Sequence, residues 1–222
     1  QDIAQASESS LKAFRRQAQG IFQDPFASID AFMNVYQILE EPLLIHHIGS
    51  QDTRRKLVSQ ALEEVKLTPV DDFLPKYTHV LSGGQRQRLA IGRALILRPD
   101  FILADEPVSM IDASSRAEIL YLFKELQERH GISFLYITHD IATARYFCQQ
   151  IAVMYLGRIV ELGPALDLIR KPRHPYTQAL INAVPSPDPS NRHQEREVIP
   201  GESPSPINAP TGCRFHPRCP NF

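Results

Sequence analysis

The sequence predicts an α/β protein with a parallel sheet core, a mostly helical insert and a proline-rich C-terminal extension. Three observations carry that reading. Short apolar runs alternate with helical patterns between residues 101 and 156, the pattern of a parallel sheet with right-handed crossovers. Apolar residues at helical spacing fill much of the stretch from 28 to 95. Eleven of the eighteen prolines fall after Lys171, where turn-rich sequence replaces the alternation.

The elements follow in order. Residues 8–18 read as a short polar helix opened by a serine or acidic cap. Gly20-Ile21-Phe22-Gln23 reads as a brief strand, halted by Asp24-Pro25. Residues 31–46 and 52–66 are helical, with Val35, Ile38 and Leu39, then Leu57, Ala61, Leu62 and Val65, on their apolar faces. A third helix starts near Gly83 and runs through Leu89, Ile91 and Leu95 to the break at Arg98-Pro99. Strand 101–105 leads to a helix at 113–129, which His130-Gly131 closes. Strand 132–138 is apolar almost throughout, which predicts burial on both faces. A helix at 140–148 and a strand at 150–156 precede a hairpin turn at Gly157-Arg158 into Ile159-Val160-Glu161-Leu162. The expected domains are 1–170, with a helical subdomain at about 28–95, and an extension at 171–222 that reads as incomplete.

At 222 residues the chain holds one full domain and an appendage. A net charge of −1 gives no basic excess for nucleic acid. No apolar run approaches the roughly 18 residues of a membrane span. Three cysteines at irregular spacing do not make a secreted disulfide framework and point to a reducing compartment. Cys148, alone in a helical stretch, reads as a small buried hydrophobe.

Two blocks carry chemistry. Ser82-Gly83-Gly84-Gln85 places a hydroxyl and two side-chain-free residues at a helix start, where unpaired N–H groups and the helix dipole face an anion. Strand 101–105 ends in Asp105 and Glu106, acids delivered to the sheet edge where α/β proteins bind ligands. Asp105 suits a hard cation such as Mg²⁺, and Glu106 suits the polarising of an attacking water. Taken singly, each has a plainer alternative: a Ser-capped helix, or two solvated acids before a Pro turn. A phosphate cradle of the form G-x-x-x-x-G-K-[ST] occurs nowhere in the chain, which opens on Gln1-Asp2-Ile3. The expectation is that the N-terminal part of the domain is absent.

The string Leu81-Ser-Gly-Gly-Gln-Arg-Gln-Arg88 and the later Phe101-Ile-Leu-Ala-Asp-Glu-Pro107 resemble the signature and Walker B motifs of ATP-binding-cassette (ABC) ATPases. The resemblance runs on from Gln23 to Gly163 and implies a P-loop NTPase-type sheet with a helical ABC subdomain. Gln23 matches the Q-loop glutamine, His139 the switch histidine after Thr138, and Pro107–Asp112 the D-loop. Met110-Ile111 stands where that family usually has Ala-Leu. What this implies is catalysis by Glu106, His139 and Gln23, ATP contacts from Ser82, Gly83, Gly84, Gln85 and Asp112, and Mg²⁺ held by Asp105 and Gln23. A second ABC ATPase subunit, in a homo- or heterodimer, would complete the site, since the signature of one subunit serves the ATP of the other. The chain alone is then expected to be inactive.

The tail narrows the resemblance. His174-Pro175-Tyr176-Thr177, Gly201-Glu-Ser-Pro-Ser-Pro206 and Gly212-Cys213-Arg-Phe-His-Pro-Arg-Cys219-Pro220 look like the C-terminal extension of oligopeptide/dipeptide importer ATPases. Phe22–Ile29 fits the same group, although Asp30-Ala31-Phe32 follows where Asn-Pro-Arg is usual. Implied partners are two integral membrane permease subunits, against which the helical insert docks, and indirectly an extracytoplasmic solute-binding protein. The implied place is the cytoplasmic face of the inner membrane, peripherally bound. Cys213 and Cys219 are either free thiols or half of an iron–sulfur or zinc site whose other ligands lie further on. Two rival readings remain: a non-transport ABC ATPase, and a non-catalytic interaction protein whose phosphate loop is genuinely lost.

Overall fold

The computed structural model of the chain describes residues 3–24, 29–184, 201–202 and 204–221. It falls into two compact units, Gln1–Ile137 and Thr138–Phe222.

The first unit opens with α1 (Glu8–Gln17), capped by Ser7, whose hydroxyl accepts from the Ser10 N–H. Strand β1 (Ala18–Ile21) follows directly. It lies two residues earlier than the sequence suggests, because Ala18 pairs with Phe101 and Ile21 with Ala104. Gln23 is thereby left just beyond the strand. Helix α2 (Val35–Ile45) starts later than the apolar spacing implies. Asn34 and Gln37 form a reciprocal capping box there, which fixes the helix start locally. Helices α3 (Gln51–Glu64), α4 (Val70–Phe73) and α5 (Gly83–Leu95) complete the insert. Val35, Leu39, Leu43, Val58, Leu62, Leu89 and Ile91 are fully buried between α2, α3 and α5.

Strands β2 (Phe101–Asp105) and β3 (Ser133–Ile137) flank α6 (Ala113–His130). The sheet is parallel in the order β1-β2-β3. Its covered face carries Ile21, Ile102 and Ala104, and Phe134 of β3 meets Phe123 of α6 with ring centroids 5.3 Å apart. Burial of β3 on both faces is not observed. Among the described residues the strand lies at the sheet edge, and Leu135 and Ile137 are 52% and 45% exposed. An apolar run does not reveal which of its faces a neighbour covers.

The second unit holds α7 (Ile141–Phe147), the antiparallel hairpin β4 (Gln150–Tyr155) and β5 (Arg158–Pro164), then α8 (Ala165–Arg170) and α9 (Pro175–Asn182). Gly157 turns the hairpin at φ +77°, which favours a residue without a side chain. Ile151 and Val153 alternate inward and pack with Ile141, Ala144, Ala165 and Leu168. Residues 204–221 are turn-rich, with one short 3-10 turn at His216–Arg218.

Candidate functional site

Parallel pairing of β1 with β2 carries two chain ends past the same sheet edge. Ile21 lies opposite Ala104, so Gln23 and Glu106 stand two residues beyond one register pair. The Gln23 Nε2 donates to Glu106 Oε2 at 3.1 Å. Asp105, half-buried, ends β2 opposite Ile137.

Glu106 has φ +44°, a left-handed conformation that costs a side-chain-bearing residue about 1–2 kcal/mol. Its backbone is held there from both sides. The Glu106 N–H donates to Ile137 O at 2.9 Å. Its carbonyl accepts from the Ser109 N–H at 3.2 Å and from the Ser109 hydroxyl at 3.0 Å. The turn sets the carboxylate against the Gln23 amide. Strain of this kind persists where surrounding bonds over-determine it, and it concentrates at functional positions.

Helix α5 begins in a second capping box. The Ser82 hydroxyl accepts from the Gln85 N–H at 3.2 Å, and Gln85 Oε1 accepts from the Ser82 N–H at 3.0 Å. Gln85 is thus used to close the helix start. Gly83 and Gly84 keep first-turn N–H groups that no acceptor among the described residues takes. Helix α6 begins beside it. Asp112 Oδ1 accepts from the Ser114 hydroxyl at 2.5 Å, the Ser114 N–H at 3.1 Å and the Ser115 N–H at 3.0 Å. These bonds, led by the Ser114 hydroxyl, hold the Asp112 carboxyl well below the usual carboxylate range. A Cβ on Gly84 would stand 3.0 Å from Ser115 Oγ and 3.2 Å from its Cβ, so the two helix starts approach closely only with glycine there. Ser115 escaped the sequence reading, and Ser109 entered it only as part of the Pro107–Asp112 match. Ser115 lies three residues after Asp112, an N-cap spacing that gives the capping bond but not the approach to Gly84.

The first unit therefore brings Gln23, Asp105 and Glu106 to one sheet edge, and sets the start of α5, at Gly84, against Ser115 of the helix that Asp112 caps. His139 belongs to the second unit and is exposed. Its neighbours fix the turn around it. The Asp140 N–H donates to Thr138 Oγ1 at 3.0 Å, and the Asp140 carboxylate caps α7 at the Ala142 N–H, 2.9 Å away.

The tail motifs meet one another. Glu161 of β5 accepts from the Arg173 and His174 N–H groups at 2.9 and 3.0 Å, an anion at the start of α9. His174 Nδ1 accepts from the Tyr176 N–H at 3.1 Å. Phe215 is fully buried against Tyr155, Tyr176 and His174. Cys213 Sγ lies 3.7 Å from His174 Nε2. With Nδ1 accepting, a neutral His174 carries its proton on Nε2 and can donate to that sulfur. Among the described residues no group of three or more His, Cys, Asp or Glu is placed to hold an ion. Cys213 and Cys219 form no disulfide, and the described residues do not by themselves supply the four ligands of an iron–sulfur or zinc centre.

Comparison with known proteins gives two family matches. Residues 1–109 match the ABC transporter family, and residues 160–221 match the oligopeptide/dipeptide transporter C-terminal region. A putative peptide import ATP-binding protein of Brucella ovis is 48% identical over 219 residues, covering 99% of this chain and 68% of that protein. The dipeptide transport ATP-binding protein DppF of Haemophilus influenzae is 45% identical, covering 96% of this chain and 64% of that one. Among solved structures, cbiO1 of Clostridium perfringens, part of the ABC transporter complex cbiONQ, has a TM-score of 0.66 at 29% identity, covering 74% of this chain and 64% of the other. The ATP-binding cassette MJ0796, a dimer bound to ADP and Pi in a post-hydrolysis state, has a TM-score of 0.62 at 29% identity, over 72% of this chain and 68% of that one. The chain thus spans about two thirds of the length of these proteins. Signature helix, acidic sheet edge and tail agree with both family matches, and the chain belongs to the ATP-binding subunits of the oligopeptide/dipeptide ABC importer family.

Proposed function

We propose that this chain supplies the signature helix and the catalytic edge of an ATPase subunit that energises import of peptides or a related small solute. The observation that carries the reading is the Gln23–Glu106 hydrogen bond beside Asp105 at the C-terminal edge of a parallel sheet. Glu106 is the base that polarises the attacking water. In this arrangement Gln23 shares the carboxylate, and its release frees Glu106 to accept a proton. Asp105 and the Gln23 carbonyl oxygen are oxygen donors of the kind Mg²⁺ prefers, and the ion would neutralise charge on the β- and γ-phosphates. Ser82, Gly83 and Gly84 offer donors at the start of α5 to the phosphates of an ATP bound by a second subunit. Asp112 ties that start to the loop after Glu106. His139 senses the γ-phosphate. Domains at 1–170 and 171–222, with the helical part at about 28–95 set against two permease subunits, complete the reading. No described helix is long and apolar enough to cross a membrane, which is compatible with a peripheral place on the cytoplasmic face.

The test uses the complete gene product with its phosphate loop. Glu106→Gln keeps shape but removes the base, so hydrolysis stops while ATP stays bound and a dimer accumulates. His139→Ala lowers turnover sharply with ATP affinity kept. A loss of only a few-fold in Glu106→Gln sinks the assignment of the base. Copurification with integral membrane subunits separates an importer from a non-transport ABC ATPase.

A further inference from the structure

The first unit has a second concave site, at the end of the sheet opposite Glu106. Gln17 immediately precedes β1 and Asp100 immediately precedes β2, and the Asp100 N–H donates to Gln17 O at 2.9 Å. Around this junction lies a cavity of about 490 Å³. Its walls include Lys12 and Arg16 of α1, His46 at the end of α2, and Leu97, Arg98 and Asp100 between α5 and β2. Strands run away from it toward Gln23 and Asp105, so it is not the edge at which the nucleotide chemistry is read.

Its charges are out of balance. Lys12 and Arg16 sit four residues apart on one helix, a spacing at which like charges repel. Arg15 on the same helix is paired with Glu8, and Arg98 is held by both oxygens of Glu64 at 2.7 and 2.8 Å. Neither Lys12 nor Arg16 has a carboxylate partner among the described residues. Asp100 is the one acid lining the cavity. His46 reports the resulting field. Burial, then the charges of Lys12, Arg16 and His47, pull its pKa below the usual histidine value. Leu97, buried, gives the site an apolar wall, while Lys12 and Arg16 themselves are exposed.

We propose that this cavity is an anion site for a polyvalent phosphate, bridging Lys12 and Arg16 of α1 to His46 and the α5–β2 junction. The space exceeds one orthophosphate and suits a di- or triphosphate group. The same chemistry is offered by a soluble phosphorylated metabolite and by an anionic phospholipid headgroup. Binding relieves the Lys12–Arg16 repulsion and clamps α1 against the strand that leads to Gln23.

The test is titration of the chain with inorganic tripolyphosphate at constant ionic strength, followed by calorimetry, alongside flotation with phosphatidylglycerol and phosphatidylcholine vesicles. A Lys12→Gln/Arg16→Gln variant is expected to weaken tripolyphosphate binding at least tenfold. Affinity should fall as pH rises from 6 to 8, because the arriving anion raises the His46 pKa and draws a proton onto it. Lys12, Arg16, Arg98, Asp100 and His47 are the other charged or titratable groups about His46, and the probe changes charge over the same range, so the effect is read as the difference between the parent and His46→Gln. His46→Gln should make affinity fall less from pH 6 to 8 than in the parent, while binding at pH 8 persists; an identical pH profile in the two proteins overturns the role of His46. Binding to phosphatidylglycerol alone, lost in the double variant, supports the site with a lipid source. Absence of binding to either probe, or binding that the double variant leaves intact, overturns the proposal. These readouts do not involve ATP hydrolysis, so the proposal stands or falls apart from the role given to Glu106.

Discussion

Phe215→Ala tests whether the two tail motifs hold each other. Phe215 is 0% exposed, with its ring centroid 5.3 Å from Tyr155 at 86°, 5.4 Å from Tyr176 and 5.8 Å from His174. Truncating a buried phenylalanine to alanine costs about 3–5 kcal/mol, the transfer term plus the cavity left behind. The loss falls first on the docking of residues 213–219, because Phe215 is not a member of the core of Ile141, Ile151 and Val153 and reaches it only through Tyr176. Local detachment should therefore become about 10²–10⁴-fold more frequent, while the rest of the unit stays folded. The assay is hydrogen exchange at the His216, Arg218 and Cys219 amides, whose acceptors are the Cys213, Phe215 and His216 carbonyls. Tryptic cleavage after Arg214 and Arg218 gives an independent rate. Tyr155→Phe is the control. It deletes a buried hydroxyl that has no partner among the described residues, so it should leave protection unchanged or raise it. Exchange and cleavage within threefold of the parent in Phe215→Ala would refute the reasoning.

Other expectations are more local. Gly84→Ala should lower the melting temperature, and Ser115→Gly should restore it by clearing the atoms 3.0 and 3.2 Å from the new Cβ; a double variant no better than the single one contradicts the close approach. The depressed Asp112 carboxyl contributes stability that is fully present above its unfolded pKa, near 3.8, and is lost as pH falls through its lower folded value. Asp112→Asn should accordingly flatten the acid limb of the stability curve and leave its slope above pH 5 unchanged, as followed by circular dichroism. The 222-residue chain, which has no phosphate cradle, should show no ATP turnover of its own; measurable turnover that Glu106→Gln abolishes would contradict this.

What the sequence alone determined is local or strongly periodic. Ser82 with Gln85, Asp112 before α6 and Gly131 after it lie within three or four residues of the groups they satisfy, so helix starts and stops can be read without a fold. The strand ending in Asp105 and Glu106, and the tail motifs from His174 to Cys219, also stand complete in the chain. Tertiary structure decided what depends on distant partners. Gln23 and Glu106 are 83 residues apart and meet because β1 pairs with β2 in one register out of several the sequence allows. That register also moved the strand from Gly20–Gln23 to Ala18–Ile21. The open face of β3, the approach of Gly84 to Ser115 and the seating of Phe215 on Tyr155 and Tyr176 follow the same rule. A residue's type limits which contacts it can make; which one it makes is set by where the packing of the whole unit places its neighbour.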